Sequence, residues 1–585
     1  MRVVDKIVGV GLLTLMTAFS VQDCAQAYSN TITVTYPYYA FQEDPEAPWE
    51  SVWDALDATS TIQYSDKFFN EASPGVRPEL RAASYALSLA GFENEADGYP
   101  AVSVNHKLYT MLDEMGFTEP QSWDTASEPY GHSMGTTVAH KTLSNGQNLV
   151  VVVPRSYNYM TEWLSNFNVG TTGDHAGFSE SAGLVTDRLG QYIASHSLQN
   201  NKIWIVGYSR GGGVVDLVTK TINQDLARFS VSADDLYAYT FGAPRASMTE
   251  PGYTNVHDVK DGDDLLLGYM FPEQWGFHNT GTYEEIHAAD LEIATYAVNI
   301  EDLVDSSKIA NVISGDSELT LDTGTRKGKE FMDEWLEFIT SHGLTREYFN
   351  DVIKEPLSAI MRVYQMRTLD TQEEVIKFIT DTDRGMAAMV MQSILYDLLT
   401  NVEGDTLEEK LANFATYQNL VNVLKGTATE SEINDLAEAL DGYIGEYDDY
   451  ETKLSQVPPV TRDEFAVVKE NLPKLIKALG PLLVEDAKYT QQTYGENASL
   501  YYGYTLVSNF KELVYAHTPE SIMPLLKAAI TPEEPKTEDD DLLVPDSGYF
   551  TEKSDYATAT NYGTVYIIVG ILAIATFYNY KRKLI

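Results

Sequence analysis

The middle of this 585-residue chain alternates short apolar runs with helix-like stretches, and this alternation is the strongest constraint on its fold. The apolar runs are Leu149–Val153, Ile203–Val206 and Leu236–Phe241, and the helix-like stretches lie around Ser179–His196 and Gly212–Ile222. A continuous apolar run is expected for a strand that is buried on both faces. Strands that alternate with helices predict an α/β fold with a mostly parallel sheet covered by helices.

Composition shifts divide the rest of the chain. Helical periodicity dominates after residue 296, and Ser/Thr-x-x-Glu capping boxes recur there, for example Thr406 with Glu409. We therefore predict a large all-helical insertion that caps the core. The predicted segments are a signal peptide (1–27), an N-terminal region leading into the core (28–145), the α/β core (146–295), the helical insertion (296–510), a closing segment (511–530), an acidic Pro-rich stalk (531–543) and a sorting signal with a transmembrane segment (544–585).

The N-terminus has the pattern of a secretory signal peptide. Basic residues precede the apolar run Ile7–Val21, and Ala25 and Ala27 form a small-x-small cleavage site. Cleavage after Ala27 would remove Cys24, the single cysteine of the chain. The alternatives are an uncleaved membrane anchor and a lipid attached to Cys24.

The C-terminus predicts attachment to the cell surface. The apolar run Val565–Phe577 is followed by Lys581, Arg582 and Lys583, which places the tail in the cytoplasm. Upstream, Val544–Gly548 resembles a sortase sorting signal, and a simple type I membrane anchor is the alternative. We expect an extracellular protein held at the cell wall or membrane, with sortase or the membrane as the partner of its C-terminus.

The charge of the chain excludes one class of partner. The 86 acidic residues exceed the 40 basic ones and give a net charge of −46, which argues against nucleic-acid binding. The single cysteine also excludes a disulfide framework within the chain. The oligomeric state is left open.

Two G-x-S-x-G motifs offer a serine nucleophile, and their surroundings favour the second. The motif raises its serine only where a strand enters and a helix leaves. Ser133 follows a polar segment and precedes an alternating strand pattern, whereas Ser209 lies between the strand Ile203–Val206 and the helix Gly212–Ile222. We therefore predict Ser209 as the nucleophile, with a non-catalytic glycine-rich turn as the alternative. The amide of the next residue, Arg210, is the expected second oxyanion donor.

The sequence around Ser209 resembles the class-three lipases, which are α/β-hydrolases. The resemblance rests on I-V-G-Y-S-R-G-G, Y-T-F-G-A-P-R, L-V-V-V-V-P-R-S, H-A-G-F and V-K-D-G-D-D-L-L, and it covers about residues 136–290. It implies that Asp264 is the triad acid, with Asp263 and Asp261 as alternatives. It also implies a first oxyanion donor after the strand at 149–153, which we assign to the backbone amide of Tyr157.

The histidine of the triad is the least constrained residue. The histidines after Asp264 are His278, His287, His342 and His517. The fold requires the base on a loop after the last core element, and His517 precedes Thr518-Pro519-Glu520, which has the pattern of a new helix start. This segment also resembles the His-x-Pro-Glu ending of bacterial secreted lipase-like proteins. We predict His517 as the base, with His287 and His342 as alternatives.

These residues predict a serine ester hydrolase, a lipase or carboxylesterase, acting on an ester or lipid. No metal or organic cofactor is expected, since the sequence has no HExxH, EF-hand or P-loop pattern. Two alternatives stay open. One is a non-catalytic adhesin or binding protein on the same scaffold, and the other is a serine peptidase.

Overall fold

The computed structural model describes residues 28–42, 52–75, 77–92, 106–123, 134–155, 165–250, 252–261, 264, 273–286, 337, 340–365, 397–424, 426–445, 462–494, 517 and 519–530. The strands are β1 (Ser29–Gln42), β2 (Val52–Ser65), β3 (Thr118–Trp123), β4 (Gly135–Thr142), β5 (Asn148–Arg155), β6 (Asn201–Tyr208), β7 (Val231–Phe241), β8 (Tyr253–Asp261) and β9 (Gly281–Ile286). The helices are α1 (Pro78–Phe92), α2 (His106–Glu114), α3 (Ala176–Ser195), α4 (Arg210–Gln224), α5 (Lys354–Gln365), α6 (Leu407–Asn413), α7 (Ala415–Leu424), α8 (Glu430–Gly445), α9 (Arg462–Tyr494) and α10 (Pro519–Ala528).

Strands β3 to β9 form one seven-stranded sheet in the order of the chain. The strands from β5 to β9 run parallel, and β3, β4 and β5 pair antiparallel. Helix α3 connects β5 to β6, and α4 connects β6 to β7. This arrangement confirms the predicted α/β class with a mostly parallel sheet.

The central strands are buried on both faces, as their continuous apolar runs predict. On β5, Leu149, Val151 and Val153 pack into one core, whereas Val150 and Val152 pack into the other core with α3 and α4. The alternation follows from the two-residue period of a strand. Strands β4 and β5 form an antiparallel hairpin, and its turn contains Gly146 at a φ of 83°.

The first core joins both ends of the described chain. It contains residues of the β1–β2 hairpin, of α1 and α2, and of one face of the sheet. Ile522, Met523 and Leu526 of α10 are buried in the same core. The segment that follows the helical region therefore returns to the sheet, next to the N-terminal hairpin.

The described part of 296–510 contains helices α5 to α9, which share an apolar core that includes Phe167. The rest of this range lies outside the described residues, so the all-helical insertion stays a prediction. Arg346 ties the region to the sheet domain, because its Nε donates to Gly170 O at 2.7 Å and its guanidinium covers the Phe277 ring at 4.5 Å.

One helix of this region differs from the prediction. The apolar periodicity of Leu407–Leu424 predicts a single helix, but the structure has two, because Phe414 is extended and buried between them. The capping box of Thr406 and Glu409 begins α6 as predicted. The reciprocal bonds of Thr429 and Glu432 also form, at the start of α8.

No helix in the described part of the chain is long and apolar enough to cross a membrane. The predicted signal peptide, stalk, sorting signal and apolar run Val565–Phe577 lie outside the described residues.

A buried lysine fastens the N-terminal hairpin to the sheet. Lys141 on β4 is buried and donates to Asp66 Oδ1 and, at 2.6 Å, to Met115 O. Its ammonium lies 4.6 to 5.1 Å from the ring centroids of three aromatic residues, Tyr28, Tyr64 and Phe117. Burial lowers the pKa of Lys141, and Asp66 opposes this shift. The charge is therefore held by its partners, and removing one partner leaves the other charge buried.

We expect Lys141→Met to lower the free energy of unfolding by about 3–5 kcal/mol, because Asp66 then keeps an unpaired buried charge. Lys141→Met combined with Asp66→Asn should recover part of this loss. Chemical denaturation followed by tryptophan fluorescence measures these two variants and Asp66→Asn alone, and Trp204, which stacks on Tyr64, is one of the seven tryptophans. A double variant at least as unstable as the sum of the single variants would contradict the coupling.

Candidate active site

Ser209 occupies a strained turn between β6 and α4. Its φ of 53° and ψ of −129° are unusual for a residue with a side chain. The strand enters this turn at Tyr208 and the helix begins at Arg210. The turn therefore has the geometry that raises a serine hydroxyl above the end of a parallel sheet.

Gly207, the first glycine of the motif, and Gly212, the residue after the motif, allow the strand and the helix to approach closely. A Cβ on Gly207 would lie 2.5 Å from Gly211 O, and a Cβ on Gly212 would lie 2.8 Å from Ala243 Cβ. A real Cβ atom essentially never lies within 3.0 Å of another non-bonded heavy atom, so a side chain at either position would push α4 away from the sheet. The packing of the turn thus explains the glycines at 207 and 212, whereas a Cβ on Gly211 would lie at an ordinary contact distance of 3.4 Å from Pro154 O.

Three of the predicted site residues form one hydrogen-bonded chain. His517 Nε2 lies 2.9 Å from Ser209 Oγ, and His517 Nδ1 lies 2.7 Å from Asp264 Oδ2. Because a carboxylate accepts, Nδ1–H donates to Asp264, which leaves the lone pair of Nε2 for the serine hydroxyl. The imidazole is thus set up to take the hydroxyl proton.

His517 is held from two sides. Tyr208 OH donates to the carbonyl oxygen of His517, and the two rings stack with centroids 5.4 Å apart. On the C-terminal side, α10 begins at Pro519 and is anchored in the first core. Tyr208 is a positioning residue that sequence reasoning missed, although its place next to the predicted nucleophile is visible in the sequence.

Asp264 is buried three residues after the end of β8. Its amide donates to Asp261 O at 3.1 Å, and its Oδ1 has no hydrogen-bond partner among the described residues. Gly242 packs beneath the pair at a φ of 51°, where a Cβ would lie 3.1 Å from the His517 ring and 3.4 Å from Asp264 Oδ2. The glycine of Y-T-F-G-A-P-R therefore makes room for the acid and the histidine.

Arg210 provides a backbone amide at the first residue of α4, directly after Ser209. Its side chain is buried and binds Ser165, Asn166 and Ser181 by hydrogen bonds of 2.7 to 3.2 Å. These bonds fix the start of the helix, where the helix dipole favours negative charge. The other predicted oxyanion donor, Tyr157, lies outside the described residues.

A buried histidine supports this network. His175 Nδ1 accepts from Phe178 N at 3.2 Å, and its Nε2 donates to Asn166 O at 3.1 Å. Burial lowers the pKa of His175 to about 3, so this imidazole is neutral at ordinary pH. His175 thus orients the segment that holds Arg210, a role that the H-A-G-F motif did not reveal by itself.

Among the alternative residues that the structure describes, no hydrogen bond to Ser209 or His517 is seen. Asp261 ends β8, and His278 Nε2 lies 3.5 Å from Glu250 Oε1. His342 Nδ1 bonds to the neighbouring Ser341 Oγ. Ser133, Asp263 and His287 lie outside the described residues.

Part of the chain that forms this site also matches a family model. Residues 137–260 match the family model of lipase (class 3). The lipase (class 3) match covers about a fifth of the chain and includes Ser209 and Arg210, but it ends before Asp264 and His517. No curated protein matches the chain significantly. The lipase match therefore supports the nucleophile turn, and the acid and the histidine rest on the hydrogen-bond geometry.

Because the backbone of Ser209 is strained, substitutions at this position test the stability of the turn independently of catalysis. We expect Ser209→Gly to be more stable than Ser209→Ala by about 1 kcal/mol, since only glycine adopts this backbone without strain. Both variants lose the hydroxyl, so their difference reports the backbone alone. The same two substitutions at Ser179 inside α3 should differ by about 1 kcal/mol in the opposite direction. Denaturation midpoints measure all four, and a more stable Ala at 209 would contradict the strain.

Proposed function

We propose that this chain is a serine ester hydrolase, a lipase or carboxylesterase. The observation that carries the proposal is the chain of hydrogen bonds from Ser209 through His517 to Asp264, at 2.9 and 2.7 Å, on a strained strand–helix turn. The match of residues 137–260 to lipase (class 3) supports the same activity.

The proposed reaction transfers an acyl group to water in two steps. Ser209 Oγ attacks the ester carbonyl carbon while His517 Nε2 takes the hydroxyl proton. The tetrahedral intermediate breaks its bond to the alcohol, which leaves with the proton from His517. Water then attacks the acyl-serine while His517 takes its proton. The second tetrahedral intermediate breaks its bond to Ser209 Oγ, which takes the proton back from His517 as the carboxylic acid leaves.

Two groups of atoms lower the barrier of this reaction. The carboxylate of Asp264 holds the His517 tautomer and stabilises the imidazolium that forms in each step. The amides of Arg210 and Tyr157 are the proposed donors to the negative oxygen of the intermediate. Neither contribution requires a metal or an organic cofactor.

We expect Ser209→Ala, His517→Gln and Asp264→Asn each to reduce kcat for a p-nitrophenyl ester by about 10⁴-fold. A fluorophosphonate probe should label the parent protein and fail to label Ser209→Ala. Ser133→Ala and His278→Gln are the controls and should keep full activity and labelling. A parent protein that neither reacts with the probe nor cleaves esters would contradict the hydrolase and favour an adhesin on this scaffold.

The helical region is the proposed source of substrate selectivity. Phe167, two residues from Ser165 beneath the turn, is buried in the core formed by α5 to α9. A cap that presents apolar side chains above Ser209 would bind an acyl chain and exclude water. Activity on p-nitrophenyl esters of increasing chain length, compared with activity on peptides, distinguishes a lipase from a short-chain esterase and a peptidase.

We further propose export and attachment to the cell surface, from the sequence patterns at both ends. The mature chain should begin at Tyr28, and deletion of 544–585 should release the protein from the cell envelope into the medium. N-terminal sequencing and cell fractionation measure these outcomes. An intact N-terminus in a cytoplasmic fraction would overturn the proposal.

A further inference from the structure

A second group of ionisable side chains lies away from Ser209. Glu119 on β3, His140 on β4 and His196 directly after α3 each offer one ligand atom, and these atoms all lie within 4.8 Å of one another. In the β4–β5 pairing His140 is opposite Val150, whereas the carboxyl end of β5 leads toward the serine turn. The group is thus about 15 Å along the strand from that end of the sheet.

The hydrogen bonds of Tyr192 fix the tautomer of His196. His196 Nδ1 lies 2.9 Å from the carbonyl oxygen of Tyr192, which can only accept, so Nδ1 carries the proton. The second contact of Nδ1, with Ser195 Oγ at 3.1 Å, fits the same assignment, since that hydroxyl donates to Tyr192 O. The lone pair of a neutral His196 is therefore on Nε2.

The same tyrosine fixes the tautomer of His140. Tyr192 OH donates to Glu119 O at 2.7 Å, so His140 Nδ1, 2.9 Å from the hydroxyl, donates to it. The lone pair of His140 is then on its Nε2. Metal-binding histidines usually donate their other ring N–H to a carbonyl or similar acceptor, as both histidines do here.

The short distance between His196 Nε2 and Glu119 Oε2 requires a positive charge between the two atoms. His196 Nε2 lies 3.1 Å from Glu119 Oε2, and two electron pairs at that distance repel unless a positive charge lies between them. A proton meets this need, and so does a metal ion. In tetrahedral zinc sites, bonds of about 2.0–2.2 Å place neighbouring ligand atoms about 3.3–3.6 Å apart. The spacing of the pair is therefore close to that of two zinc ligands.

The local backbone directs the Glu119 carboxylate toward the two histidines, and the end of α3 favours a positive charge there. Glu119 has a φ of 50° in a β-bulge, where the pairing of β3 with β4 shifts by one residue. A bulge redirects a side chain, and here it turns Glu119 toward the two imidazoles. His196 caps the C-terminus of α3, where the helix dipole favours a cation.

We propose that Glu119, His140 and His196 bind one Zn²⁺ ion, with water as the fourth ligand. Two neutral imidazoles and a carboxylate suit zinc, and three protein ligands leave one position open. The ion joins the edge strand β3 to β4 and to the end of α3, so it stabilises this edge of the sheet. Its distance from the serine turn separates this role from ester hydrolysis.

The test uses the purified chain without an affinity tag. We expect one Zn²⁺ per chain by elemental analysis after gel filtration, and a Tm that rises with free Zn²⁺. Glu119→Gln and His196→Gln should each weaken Zn²⁺ affinity at least tenfold in calorimetric titration. Co²⁺ in place of Zn²⁺ should give visible absorption of a four-coordinate site that both variants lose. Glu119 is largely exposed, so its variant keeps the fold even if a histidine variant does not.

His278 and Glu250 provide the matched control, since their side-chain exposures of 20% and 82% resemble the 22% and 65% of His196 and Glu119. In the part of the chain that the structure describes, no third ligand joins that pair. His278→Gln should leave Zn²⁺ binding and the Tm shift unchanged. Binding that is absent from the parent protein, or equal in Glu119→Gln, His196→Gln and His278→Gln, overturns the proposal and leaves an ordinary His–Glu ion pair only.

Discussion

The hydrogen bond between Ser209 Oγ and His517 Nε2 joins two residues that are 308 positions apart, and the geometry of the site depends on it. A contact of this separation is not maintained by local structure, because closing so long a loop costs conformational entropy. The burial of α10 offsets this cost, since Ile522, Met523 and Leu526 enter the first core within ten residues of His517. Apolar packing of α10 on one face of the sheet thus keeps His517 next to Ser209 at the end of the strands.

The site also combines strain with burial. Ser209 is held in an unfavourable backbone conformation by the close packing of Gly207 and Gly212, and Asp264 is held away from water with one oxygen unpaired among the described residues. Both features lower the free energy of unfolding, and the apolar packing of the two cores on either side of the sheet offsets this loss. A site of this kind is expected where geometry matters more than local stability.

The sequence predicts the central strands β5, β6 and β7 and the nucleophile turn because their signals are local. Buried strands are continuous apolar runs, and the G-x-S-x-G turn is recognised from residues within a few positions of Ser209. The positions of Tyr208 and Gly242 in the site are not predicted, because their roles depend on where His517 arrives in space. The break at Phe414 is missed for a related reason, since burial of that ring overrides the helical periodicity of its segment. Glu119, His140 and His196 come together only through the bulge and the sheet register.

The packing of α10 beside the β1–β2 hairpin has a consequence for biosynthesis. A chain that emerges from its N-terminus first can bury Trp204 and complete the β5–β8 strands while residue 517 is still to come. Ser209, the proposed nucleophile, is then present without His517, and the last helix completes both the core and the hydrogen-bonded chain at Ser209. Under the proposed function, a nascent or C-terminally truncated polypeptide would therefore be inactive until synthesis has passed the end of α10.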